Sequence, residues 1–164
     1  VQPDIGCVGA KLYYADQRIQ HAGVILGLGG VAGHSHKYAS REDPGYFYRL
    51  KVVQNLSAVT GACLLVRKEI YEEVGGLNER DLKIAFNDVD FCLRVREAGY
   101  SNVWTPYAEL YHLESVSRGL EDNPEKILRF QSEIAYMKEH WALENDPFYS
   151  PNLTRDREDF SIDG

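Results

Sequence analysis

A single α/β unit is the fold class this sequence predicts, and two observations predict it. Segments rich in β-formers alternate along the chain with segments of helical periodicity. No internal repeat or low-complexity stretch interrupts that alternation. With 164 residues, 44% hydrophobic and 26% charged, the chain is long enough to bury a core without disulfides or a structural metal.

Ile5 to Tyr14, IGCVGAKLYY, reads as a strand, and Ala15-Asp16-Gln17 as the turn of a hairpin whose second strand runs from Ile19 to Leu26. The glycine-dense Gly27 to Gly33 predicts a flexible loop, and the polar stretch His34 to Gly45, closed by Asp43-Pro44-Gly45, predicts another. After RLKVVQNLSAV, Arg49 to Val59, the chain is interrupted at Thr60-Gly61-Ala62, and Cys63-Leu64-Leu65-Val66 reads as a buried strand. Lys68 to Val74 predicts a short helix stopped by Gly75-Gly76. Asn87 to Ala98 is amphipathic, with Phe91, Cys92, Val95 and Ala98 on one face. Tyr100 to Trp104 and Ala108 to His112 read as short strands broken at Pro106, and Pro124 opens a long helix to about Trp141. From Asn145 the chain is polar and proline-punctuated, an extended arm. The expected organisation is a domain over 1–144 and a tail over 145–164.

Lys and Arg total 18 against 25 Asp and Glu, a formal charge of −7. That balance disfavours non-specific affinity for nucleic acid or anionic lipid. The three cysteines, Cys7, Cys63 and Cys92, form no C-x-x-C pair and read as reduced thiols of a cytosolic protein. The N-terminus has neither a basic nor an apolar region of a signal peptide, and the longest apolar stretch, Ala22 to Gly33, is too short to span a bilayer. The chain opens on Val1 and its only methionine is Met137, so it reads as a piece of a longer protein.

Gly27-Leu28-Gly29-Gly30-Val31-Ala32 fits G-x-G-x-x-A, but the residues that follow lack the apolar face of the helix a dinucleotide site needs. His34 and His36 read as solvated loop residues, and His21 and His140 as structural. A small metallohydrolase using His34, His36 and His112 is a competing reading that requires a tightly held metal. In Phe86 to Arg94, FNDVDFCLR, Asn87 reads as a helix N-cap, with Asp88 and Asp90 in the first turn and Arg94 paired to Asp90. The functional reading of the same residues is a carboxylate at a helix N-terminus, ionised and able to accept a proton from a bound hydroxyl.

Thr60-Gly61-Ala62-Cys63-Leu64-Leu65-Val66-Arg67, Val74-Gly75-Gly76-Leu77-Asn78-Glu79, the Phe86 to Arg94 block, Ala98-Gly99-Tyr100 and Tyr111-His112-Leu113-Glu114-Ser115 follow one another in a specific order and spacing. Together they resemble the C-terminal half of a family 2 glycosyltransferase of the GT-A fold, over about Val8 to Arg118. The tail Asp146 to Leu153 is similar to the end of bacterial rhamnosyltransferase-like members.

The resemblance implies a mixed sheet flanked by helices, with the N-terminal nucleotide-binding half missing. It implies inverting transfer of a sugar from a nucleotide diphosphate donor to a glycan or lipid-linked acceptor in cell-envelope synthesis, in the cytoplasm or at the inner face of the membrane. Asp88 takes the place of the general base, preceded by Asn87. Thr60, Gly61 and Ala62 match the turn lining the sugar pocket. His112 matches a position that completes a Mg²⁺ or Mn²⁺ site, its plainer reading being a buried histidine at a strand end. Arg118, with Ser115 and Ser117, matches a loop over the diphosphate, where its charge would offset the leaving group. The piece by itself is expected to be inactive and to expose a sheet surface that self-association would bury. The alternative is a non-catalytic module of the same fold that holds a glycan or a protein through its 11 tyrosines.

Overall fold

The computed structural model describes residues 2–113 and 123–162. It is an α/β fold, a mixed sheet with helices packed on it, consistent with part of a GT-A architecture. Strand β1 (Ile5–Tyr13) is central: β7 (Ser101–Tyr111) runs parallel along one side and is itself flanked by antiparallel β5 (Gln54–Leu56). On the other side β6 (Leu64–Val66) pairs with the first half of β1, and β2 (Ile19–His21) with its last residues. A separate ribbon is formed by β3 (Val24–Leu26) and β4 (Ala32–His34). The helices are α1 (Lys68–Glu73), α2 (Asn87–Glu97) and α3 (Pro124–His140).

Helix α2 lays Phe91, Cys92 and Val95 into the core formed with Cys7, Leu56 and Trp104. Its approach to the sheet is close enough that a Cβ on Gly6 would overlap Val95. Asn102 of β7 fixes this packing: its amide nitrogen donates to the carbonyls of Ser57 (2.9 Å) and Cys92 (2.8 Å), and its oxygen accepts the Cys7 N–H. All these groups are buried, so each would be costly without its partner.

Several elements differ from the sequence expectation. The strand expected over Ile19 to Leu26 breaks at Gly23, whose φ of +100° only glycine adopts cheaply. The chain there leaves β1, and β3 pairs with β4 instead. The expected glycine loop therefore contains a tight turn (Leu28–Gly30) and a strand. Cys63 to Val66 is not a buried strand: Gly61–Cys63 is a 3₁₀ turn, and Leu65 on β6, at a sheet edge, is 72% exposed. Pro106 does not end a strand. The register runs from Ala10↔Thr105 directly to Lys11↔Glu109, so Pro106 to Ala108 bulge out and the ladder resumes past the residue that has no N–H to give.

Residues 145–162 do not stand off as an arm. Asp146, Tyr149, Leu153 and Phe160 are buried, and the Asp146 carboxylate accepts the Leu26 N–H (2.8 Å), the Ser57 hydroxyl (2.8 Å) and the Phe148 N–H (2.9 Å). His36, expected in solvent, is buried under this segment, its ring stacked on Phe160 at 4.6 Å between centroids. Its Nε2 accepts the Tyr46 N–H at 3.2 Å, so its proton sits on Nδ1 and faces the Ser35 hydroxyl at 2.6 Å.

Burial, partly opposed by Asp43, pushes the pKa of His36 from 6.5 down to about 4. The unfolded chain therefore binds a proton that the folded one refuses, and stability falls as pH drops below 6.5 towards 4. Urea unfolding at pH 7.5 and pH 5 is expected to show a loss of about 2 kcal/mol from His36, with buried His21, whose pKa is also lowered, adding in the same direction. Equal stability at the two pH values would contradict this burial.

Candidate functional site

The ends of β2, β4 and β7, the start of α2 and the Thr60 turn converge on one cavity of about 520 Å³. Gln20, His34, Thr60, Gly61, Asp88 and His112 line it. The sequence scatters these groups over some 90 positions, and the sheet order brings them together, because β1 pairs with both β2 and β7.

Asp88 is half-buried in the first turn of α2, where the helix dipole favours an anion. Its Oδ2 accepts the Gly61 N–H at 2.7 Å and its Oδ1 accepts the Val89 N–H at 2.9 Å. Each oxygen keeps a second lone pair. A Cβ on Gly61 would stand 3.2 Å from that of Asp88, so the glycine is what lets the turn come this near. Thr60 and Ala62 flank it, with the Thr60 hydroxyl accepting the Ala62 N–H at 3.3 Å.

Asn87 is not the N-cap. Phe86 precedes the helix in a left-handed conformation with no side-chain cap, and Asn87 is the first helical residue. Its amide donates to the carbonyls of Asn78 (3.2 Å) and Leu82 (2.5 Å) and accepts the Asn78 N–H (2.9 Å), so it ties down the loop before α2 at the cavity edge. Asp90 and Arg94 pair as expected, at 2.9 Å. Asp90 is buried and also accepts the Trp141 indole N–H at 3.0 Å, so it does not join Asp88 at the cavity.

His112 follows β7. Gln20 donates through Nε2 to the His112 carbonyl (3.4 Å), which leaves Gln20 Oε1 to accept from His112 Nδ1 (3.0 Å). His112 thus donates from Nδ1, so Nε2 is the ring nitrogen turned to other partners, the orientation in which a metal-ligating imidazole is held. Among the described residues, however, no group of three His, Cys, Asp or Glu stands together as a metal site. His34, His36 and His112 do not converge, since His36 is packed under Phe160. Arg118, Ser115 and Ser117 lie outside the described residues.

Two groups carried no legible signal. Buried Glu133 of α3 accepts the N–H groups of Ile84 (3.0 Å) and Ala85 (3.2 Å), fixing the loop that lines the cavity. His34, expected in solvent, is half-buried with its Nδ1 2.9 Å from Nδ1 of buried His21.

No family model matches the chain. It is 62% identical over 163 residues to "Uncharacterized protein y4gI" of Sinorhizobium fredii, covering 98% of this chain and 18% of that protein. To O-antigen biosynthesis protein RfbC of Myxococcus xanthus it is 36% identical over 156 residues, 93% of this chain and 12% of the relative. To N-acetylglucosaminyl-diphospho-decaprenol L-rhamnosyltransferase of Mycobacterium tuberculosis it is 39% identical over 61 residues, 37% of this chain and 20% of the relative. The chain spans 18% of the length of the first of these and 12% of the second.

Replacing Glu133 by alanine leaves the Ile84 and Ala85 amides without their acceptor and removes the carboxylate 3.8 Å from Arg129 Nε. The expected cost is about 3 kcal/mol in urea unfolding, with faster hydrogen exchange at these two amides. Unchanged exchange there would show that another element holds the loop.

Proposed function

We propose that the chain is the acceptor side of a glycosyltransferase that moves a sugar from a nucleotide diphosphate donor onto an acceptor hydroxyl in polysaccharide biosynthesis. The observation that carries this reading is Asp88, a carboxylate fixed on a cavity wall by the Gly61 amide and by its own helix, with a lone pair remaining on each oxygen. The names of two relatives, one for O-antigen biosynthesis and one as a rhamnosyltransferase, support it.

In this reading a hydroxyl of a glycan or lipid-linked acceptor rests in the cavity against Asp88. The carboxylate takes its proton as the oxygen attacks the anomeric carbon, and the bond from that carbon to the diphosphate breaks on the opposite face, inverting the configuration. The Gly61 and Val89 amides keep the carboxylate aimed during transfer. Thr60 and Ala62 shape the wall beside it, and Asn87 holds the loop below.

The family resemblance carries a divalent cation, Mg²⁺ or Mn²⁺, and His112 Nε2 is the ligand this chain offers it. When bound, the ion would neutralise charge on the leaving diphosphate. The donor nucleotide, and the contribution of Arg118, belong to this proposal without a described contact. Among the described residues no helix is long and apolar enough to cross a membrane. Action at the cytoplasmic side is part of the same proposal.

The test is Asp88→Asn in the natural full-length protein, assayed for transfer to glycan acceptors. Turnover is expected to fall by about 10³-fold while donor binding is retained. Unchanged transfer would remove Asp88 as base. Glycan binding without turnover in either form would favour a binding module of the same fold.

A further inference from the structure

The Thr60 turn is held from behind by two histidines that the transfer reading does not use. His21, on β2, is fully buried, and its Nε2 accepts the Thr60 N–H at 3.3 Å. A backbone amide can only donate, so His21 Nε2 carries a lone pair and the ring is neutral with its proton on Nδ1. That proton faces His34 Nδ1 at 2.9 Å, with the rings at 89°. His34 Nδ1 is therefore the acceptor, and the proton of neutral His34 sits on Nε2. Two tautomers, neither visible in the sequence, are set in series by one amide.

The consequence lies at the front of the turn. Once Thr60 N–H is aimed at His21, the next amide, Gly61, is turned towards Asp88 Oδ2 at 2.7 Å, and the third, Ala62, returns to the Thr60 hydroxyl. Desolvation by burial keeps His21 neutral well below the usual histidine range, so its acceptor lone pair persists. A charged His21 would turn an N–H towards the Thr60 N–H and push the turn off Asp88.

We propose that His21 and His34 form a positioning dyad that aims the Thr60–Gly61 turn, and through the Gly61 amide orients the Asp88 carboxylate in the cavity. This rests on the reading of Asp88 as the base. His21 acts through Thr60, and His34 acts by accepting the His21 proton and so fixing which nitrogen faces the turn.

The test has two arms. Imidazole ¹⁵N NMR of the chain is expected to show His21 protonated on Nδ1 and His34 on Nε2, and the reverse assignment at either ring overturns the dyad without reference to activity. In the natural full-length protein, His21→Ala is expected to lower kcat by about 100-fold with the acceptor KM little changed. His21→Gln, which can return an oxygen near the position of Nε2, is expected to recover most of it. His34→Ala, at the half-buried partner, is expected to lower kcat in the same way with a smaller risk to folding. Loss of activity that tracks loss of folded protein, or equal kcat in wild type and both alanine variants while Asp88→Asn abolishes transfer, overturns the positioning role and leaves the base in place. If Asp88→Asn has no effect, the base reading falls and the dyad loses its catalytic purpose with it.

Discussion

Three consecutive backbone amides, at Thr60, Gly61 and Ala62, each end on a side-chain acceptor: His21, Asp88 and the Thr60 hydroxyl. The cavity wall depends on this arrangement, because a turn at a sheet edge would otherwise leave its N–H groups to water and its direction to chance. Ending each N–H on an acceptor converts a flexible connection into a fixed one. Asp88 then receives a donor from outside its helix as well as one from within, and its carboxylate plane is set by two elements far apart in sequence.

The same logic extends outwards in layers of buried polar groups. Asn102 joins β1, α2 and the segment before the turn, while Asp146 joins the C-terminal segment to β3 and to Ser57. Glu133 holds the loop that leads into α2. Each satisfies several backbone or hydroxyl groups at once, so removal of one leaves more than one orphan. Small elements with few residues of regular structure are thereby held in place around the cavity.

What was legible in the sequence was what local physics decides. Helices α1 and α2, the glycines after α1, and the Asp90–Arg94 pair follow from periodicity and four-residue spacing. The first strand follows from its β-forming residues, and the α/β class from the alternation of such segments with helix-periodic ones. Asp88 was legible as a carboxylate at a helix start, but its Gly61 donor was not, since it stands 27 positions away and nothing between them records it. The histidines were misread for the same reason: His34 and His36 sit among polar, glycine-rich neighbours and look solvated, yet their partners are His21, Tyr46 and Phe160. Pro106 was read as an end because the ladder's ability to skip three residues depends on the partner strand, not on the proline.

In the proposed reaction Asp88 meets the hydroxyl that reacts. A crystal structure of the natural full-length protein with an acceptor glycan bound tests it most directly. A sugar hydroxyl is expected at about 2.6–3.2 Å from an Asp88 carboxylate oxygen, with the Gly61 amide still donating to that carboxylate. A glycan bound elsewhere, or one lying in the cavity with every hydroxyl out of reach of Asp88, would contradict it.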